Sequence, residues 1–152
     1  MLATEILIQD HREVMELIEQ LENADDTGGE AYSETFNRLR AALELHMQEE
    51  EEIFYPALAK YEEFGDIVED SVPDHEGVRE SLAQMAELDP ASEPFQETLT
   101  EMRAAIEMHV TNEEDHVFPE SLEVLGRDEI ESLGDEIGSM RGDSGMSRSA
   151  RM

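Results

Sequence analysis

The sequence predicts an all-α protein, an up-down-up-down four-helix bundle with an additional C-terminal helix. Three observations point there. Apolar residues recur at three-four spacing almost everywhere, the period of a helix that buries one face. Strand-like alternation between turn residues is hard to find. The chain also carries an internal duplication, each half of which reads as one helical hairpin. A chain of 152 residues fits one domain, large enough to bury roughly 68–70% of its unfolded surface. Residues 1–140 are assigned to that domain. Residues 141–152, rich in serine, glycine and arginine, are expected to form a disordered, locally basic tail.

The first helix is predicted over Thr4 to Asn23, with Leu7, His11, Val14, Ile18 and Leu21 on one face, and Asp25-Asp26-Thr27-Gly28-Gly29 breaks it. The second runs from Glu30 to Lys60. Its inward stripe, Phe36, Leu39, Leu43, His46, Glu50, Ile53 and Ala57, alternates steps of three and four without a slip. Pro56 is expected to kink or end its last turn, since proline donates no hydrogen bond and crowds the preceding turn. After a short helical piece at Gly65 to Asp70, Ser71-Val72-Pro73-Asp74 reads as a helix start, with Ser71 as cap and Pro73 in the first turn. The third helix then presents His75, Val78, Leu82 and Met85 and ends near Leu88. Asp89 to Ser92 form a turn and Pro94 opens the fourth helix, whose stripe is Leu99, Met102, Ile106, His109, Glu113 and His116 before Pro119 ends it. A last helix is predicted from Asp128 to Met140.

Composition excludes several kinds of chemistry. No cysteine is present, so disulfides, thiolate zinc sites, iron–sulfur clusters and thiol catalysis are ruled out. Any metal must be held by imidazole and carboxylate, a set that suits iron, manganese or zinc. Forty acidic residues against ten basic ones give a formal net charge of −30, which repels nucleic acid and anionic membranes. Only Lys60 is lysine, and the carboxylates are spread along the chain, a pattern similar to that of proteins from salt-loving organisms. The start Met1-Leu2-Ala3-Thr4-Glu5 lacks the basic and apolar regions of a signal peptide, and no apolar run is long enough for a membrane helix. A cytoplasmic protein is the expectation.

The duplication carries the chemistry. Asp10-His11 recurs as Asp74-His75, and the block from His46 to Pro56 recurs from His109 to Pro119, with histidine, two acids and proline at identical offsets. A histidine and a glutamate four residues apart lie on one helix face, about 6 Å apart along the axis. Alone, that pattern is cheap, because roughly a quarter of the chain is acidic. Repeated on the inward stripe, each time with an upstream Asp-His, it is a strong signal. Ionised carboxylates on a core face cost several kcal/mol unless compensated. Two divalent cations would compensate them, and four-helix bundles build dinuclear carboxylate centres from inward side chains.

Over about residues 8 to 120 these features resemble the hemerythrin family, in particular its bacterial and archaeal branch, the HHE cation-binding domain. The resemblance implies a non-haem di-iron centre. Its ligands would be His11, His46, Glu50, His75, His109 and Glu113, with Glu50 and Glu113 bridging, His11 and His46 on one iron, and His75 and His109 on the other. An oxo or hydroxo bridge would leave an open position for oxygen, peroxide or nitric oxide. One departure stands out. Oxygen-carrying hemerythrins place a fifth histidine on the third helix, one turn from the first, whereas here the neighbours are Ser71 and Arg79. Reversible transport is put in doubt, and a hydroxyl or guanidinium is left to tune the surroundings of the metal.

Against these readings stand plainer ones. The six residues could be tolerated core histidines and glutamates, which desolvation opposes. His75 depends most on its correspondence to His11, because no carboxylate follows it one turn on. His116 lies about 10 Å along the axis from His109 and is expected to face solvent or to support the site from outside. Glu51 and Glu114 read as solvated or supporting acids, and the nine methionines as core filler. The favoured function is iron binding with oxygen or a similar small ligand, for sensing, storage or iron handling. The alternatives are an oxidoreductase acting on peroxide, oxygen or nitric oxide, and a metal-free helical interaction protein. No further acid–base or nucleophile constellation is visible, which places binding above catalysis.

Overall fold

The computed structural model describes residues 1–23 and 29–149. The break expected at Asp25 to Gly28 lies outside the described residues. Helix α1 spans Ala3–Asn23, α2 Gly29–Glu49, α3 Tyr55–Leu58, α4 Gly65–Ala86, α5 Glu93–Asn112, α6 Phe118–Leu125 and α7 Arg127–Ser149. No strand occurs among the described residues. Within the bundle, α1 packs on α2 and α4 on α5, giving one hairpin per sequence half, while α1 also meets α5 and α2 meets α4. The additional helix α7 lies along α1 and α6.

The core has two apolar parts. Val14, Ile18, Leu39, Leu43, Leu82, Leu99 and Ile106 belong to one. Leu7, Phe54, Leu58, Phe64, Val117, Phe118 and Ile130 belong to the other. Each of the four long helical stretches contributes to both, and the histidines and glutamates sit between the two contributions: His11 precedes Val14 and follows Leu7, and Glu113 follows Ile106 and precedes Val117. The sequence thus inserts one polar layer into an otherwise apolar interior.

Two helices depart from the predicted course at the same place. The second does not run as one α-helix to Lys60: Glu50–Phe54 form a π-helical turn, in which the Tyr55 N–H donates to the Glu50 carbonyl. The duplicate does the same at Glu113–Val117, with Phe118 N–H donating to Glu113. Each widened turn comes just before a proline, Pro56 or Pro119, which has no N–H for the preceding carbonyls. Neither proline ends its helix. Each sits in the first turn of the next segment, α3 or α6.

The extra residue in the π turn shifts the inward register by one. Phe54, Tyr55 and Leu58 become buried and predicted Ile53 only half-buried, while Val117, Phe118 and Ser121 become buried and His116 is exposed.

The third helix also differs from expectation. It starts at Gly65 and runs through Pro73, which is interior. Ser71 does not cap it, because its hydroxyl donates back to the Ile67 carbonyl, 2.8 Å away. Ser92 does cap α5, accepting from Phe95 N–H at 3.4 Å. Gly126, at φ 88°, lets α6 stop and α7 begin at once. Helix α7 does not end at Met140 but continues to Ser149, so Arg141, assigned from the sequence to a disordered tail, is helical. Its face is set by Ile130, Leu133 and Ile137, all buried, and Arg141 follows one turn later on that face.

Candidate metal centre

All six residues singled out in the sequence converge on the polar layer. His11, His46, Glu50, His75 and Glu113 are buried and His109 is partly buried. Glu50, with no exposed surface, stands at the middle: its Oε1 lies 3.3 Å from His46 Nε2, 3.1 Å from His75 Nε2 and 3.8 Å from His109 Nε2. Glu113 stands opposite, with Oε1 3.2 Å from His11 Nε2 and Oε2 3.4 Å from His109 Nε2. Two sets of donors result, His11–His46–Glu50–Glu113 and Glu50–His75–His109, each with ligand atoms within 4.8 Å of one another. Glu50 belongs to both. His116, exposed beyond the π turn, belongs to neither.

Four inward atoms lack hydrogen-bond partners although they are buried: His11 Nε2, His46 Nε2, Glu50 Oε2 and Glu113 Oε1. Buried polar atoms are nearly always satisfied. Four orphans aimed at one region, all of them metal-ligand types, fit cations at their focus.

The layer's own groups shift one another's affinity for protons. Burial pushes the His46 imidazole down, but Glu50, Asp10 and Glu113 outweigh it and hold the group well above its usual range. The same contest leaves His109 at about 11, raised by Glu113 and Glu50. For Glu50, burial favours the neutral acid, yet the surrounding imidazoles hold its carboxyl well below the ordinary value.

Behind the layer each imidazole donates its outer N–H to a carboxylate. His11 Nδ1 meets Glu114 at 2.7 Å, His46 meets Asp10 at 2.9 Å, His75 meets Glu51 at 2.6 Å and His109 meets Asp74 at 3.2 Å. The pattern repeats with the duplication. Asp10 and Asp74 hold the histidine of their own hairpin, and Glu51 and Glu114 hold one in the other hairpin. Such contacts fix the ring and leave Nε2 facing inward. They also give Asp10 and Asp74 a purpose that the recurring Asp-His pair hinted at, and show Glu51 and Glu114 as supporting acids.

Three features break this symmetry. Arg79 donates to both Glu51 oxygens, at 2.9 and 3.0 Å, so a guanidinium does back the His75 side. Arg141, from α7, donates to Asp10 and to Glu49. Tyr55 points inward where the duplicate has Phe118. Its hydroxyl donates to Glu113 Oε2 at 2.7 Å and lies 3.3 Å from His109 Nε2. Burial and the carboxylates of Glu50 and Glu113 push this phenol far up, keeping it protonated.

Neither Tyr55 nor Arg141 was found from the sequence. In a regular α-helix, a residue five places after Glu50 turns away from it. The one available hint was an aromatic residue before proline in both repeats.

A small cavity of about 60 Å³ adjoins the imidazoles, lined by His11, His46, His75 and His109 and by apolar side chains that include Leu43 and Ile106.

A helical bundle with imidazoles and carboxylates gathered into one interior layer is the architecture of a cation-binding bundle. The chain belongs to the hemerythrin family: the family model of the hemerythrin HHE cation binding domain matches residues 2–130. It is on this ground a cation-binding domain. No curated protein and no solved structure matches it. No helix among the described residues is long and apolar enough to cross a membrane.

Proposed function

We propose that the protein holds two iron ions in a dinuclear centre and offers them to oxygen or a related small molecule, for sensing, storage or iron handling. The observation that carries this reading is the pair of donor sets sharing Glu50, with orphaned buried atoms directed at their common interior. His11 and His46 would serve one ion and His75 and His109 the other, with Glu50 and Glu113 between them. Iron bound there would supply a redox-active Lewis acid with an exchangeable position. The chain's own residues do the rest. Glu50 and Glu113 offset the cationic charge, the four outer carboxylates fix the rings, and Leu43 and Ile106 keep the approach apolar. A cavity of about 60 Å³ beside the imidazoles has room for a diatomic guest.

Tyr55 favours a second reading, an oxidoreductase acting on peroxide, oxygen or nitric oxide, because its protonated hydroxyl is a hydrogen-bond donor fixed inside the site, of the kind that stabilises charge developing on a reacting oxygen. Protein produced in iron-supplied cells should retain about two irons per chain and change its visible spectrum on reduction and again on exposure to oxygen. Protein free of metal under those conditions would sink both readings and leave the metal-free interaction protein. Turnover of hydrogen peroxide or nitric oxide, lost in Tyr55→Phe with iron retained, would select the enzyme.

A further inference from the structure

Helix α7 lies almost wholly beyond residue 130, where the family match ends, yet one of its side chains reaches the layer behind the proposed ligands. Ile130, Leu133 and Ile137 seat the helix, and Gly134 brings its backbone against Met1 and Ala3. One turn beyond Ile137, Arg141 extends to two carboxylates. Its Nη2 donates to Glu49 Oε1 at 2.8 Å, and it also pairs with Glu49 Oε2 and Asp10 Oδ1. Glu49 has no exposed surface and Asp10 is buried.

Two buried carboxylates side by side repel each other unless a proton or a cation lies between them. Here the cation is a guanidinium, whose planar fork can bind both at once. Asp10 has one oxygen on Arg141 and offers the other, Oδ2, to His46 Nδ1 at 2.9 Å. The Asp74–His109 pair, its counterpart in the other hairpin, is exposed at Asp74 and longer, at 3.2 Å. Asp10 therefore has a braced position that Asp74 lacks.

We infer that Arg141 is a positioning residue of the metal centre, holding Asp10 against the outer nitrogen of His46 and so coupling the docking of α7 to the retention of metal. The inference rests on the proposed dinuclear centre. A ligand histidine whose outer partner is disturbed typically loses metal affinity by about 10- to 100-fold. Coupling is reciprocal, so bound metal must also hold α7 down.

The test compares full-length wild type with Arg141→Ala, Arg141→Lys and, as a control, Arg103→Ala, whose arginine pairs with Glu22 and Glu107 away from the site. Iron release into a ferrous chelator should be about 10- to 100-fold faster in Arg141→Ala, largely restored in Arg141→Lys and unchanged in Arg103→Ala. In metal-free protein, the Nδ1–H resonance of His46 should shift in Arg141→Ala alone. Amides of α7 near Arg141 should exchange more slowly once wild type is iron-loaded. Release rates and a His46 resonance unchanged in Arg141→Ala would overturn the role of Arg141 while leaving the centre intact. A wild type that retains no iron would instead overturn the centre, and the metal-free resonance would still decide whether Arg141 holds Asp10 on His46.

Discussion

Glu50 belongs to both donor sets of the polar layer, and its surroundings determine what losing it does. Three imidazoles approach one of its oxygens, and the other is an orphan. Replacing it with alanine removes the only member common to both donor sets. Glu50→Ala should therefore lose most bound iron while circular dichroism still reports a helical protein, because two apolar cores remain on either side. Iron content equal to that of wild type would count against a shared ligand.

The same residues set how the metal-free protein responds to pH. His46 and His109 are raised above the ordinary 6.5 in the fold, so their stabilisation is complete below that value and is lost as pH climbs through each raised value, about 11 for His109. Glu50 is held below 4.5, so its contribution is present above 4.5 and is lost as pH falls through its lowered value. Chelator-stripped protein should melt lower at about pH 9 than at about pH 6. Iron bound as proposed would compete with those protons, so the gain in melting temperature on loading should widen over the same interval. A metal-free melting temperature that rises from the lower to the higher pH would contradict this balance.

At the level of elements, the π turns and α7 mark where sequence reading succeeded and where it stopped. Helical periodicity places His11, His46, Glu50, His75, His109 and Glu113 on inward stripes because, up to each glutamate, the helices are regular. The stripe then misplaces Ile53 and His116, because one additional residue per turn enters at Glu50 and at Glu113 and no periodic pattern signals it in advance. Tyr55 stayed hidden for that reason. Arg141 was missed for another. It lies in a stretch whose serines and glycines are weak helix formers, and what holds it is tertiary, the packing of α7 on α1.

That packing can be tested at Gly134. A Cβ there would collide with the Met1 carbonyl oxygen and stand 2.9 Å from Ala3 N, both backbone atoms. Gly134→Ala should therefore destabilise the protein by about 1–3 kcal/mol, the usual cost of overpacking. Gly138→Ala, which meets nothing within 4 Å, should be neutral or stabilising by up to about 1 kcal/mol, since alanine is the better helix former. Equal denaturation midpoints for the two variants would show that α7 is not seated closely at its middle.

Across the whole molecule the governing quantity is the net charge of −30. Spread over a surface of 8763 Å², it amounts to roughly one excess charge per 290 Å², a spacing of about 17 Å. At about 0.01 M salt the screening length is ~30 Å, longer than that spacing, and neighbouring carboxylates repel one another across the surface. At about 1 M it is ~3 Å, and they do not. Salt also weakens attraction, and the arginines that tie helices together would feel it: Arg79 joins α4 to Glu44 on α2, and Arg103 joins α5 to Glu19 and Glu22 on α1. Such partly exposed pairs are worth about 0–1 kcal/mol each, and few cations are available to form them. Repulsion is shared among many carboxylates, so relief of repulsion should win. The melting temperature of the metal-free protein should rise steadily from about 0.01 M to about 1 M potassium chloride. Chloride is the suitable anion, because sulfate would strengthen apolar burial in any protein and hide the cause. A midpoint that stays level or falls across that range would mean that the carboxylates are placed so that they scarcely interact, and the acidic surface would then owe nothing to salt.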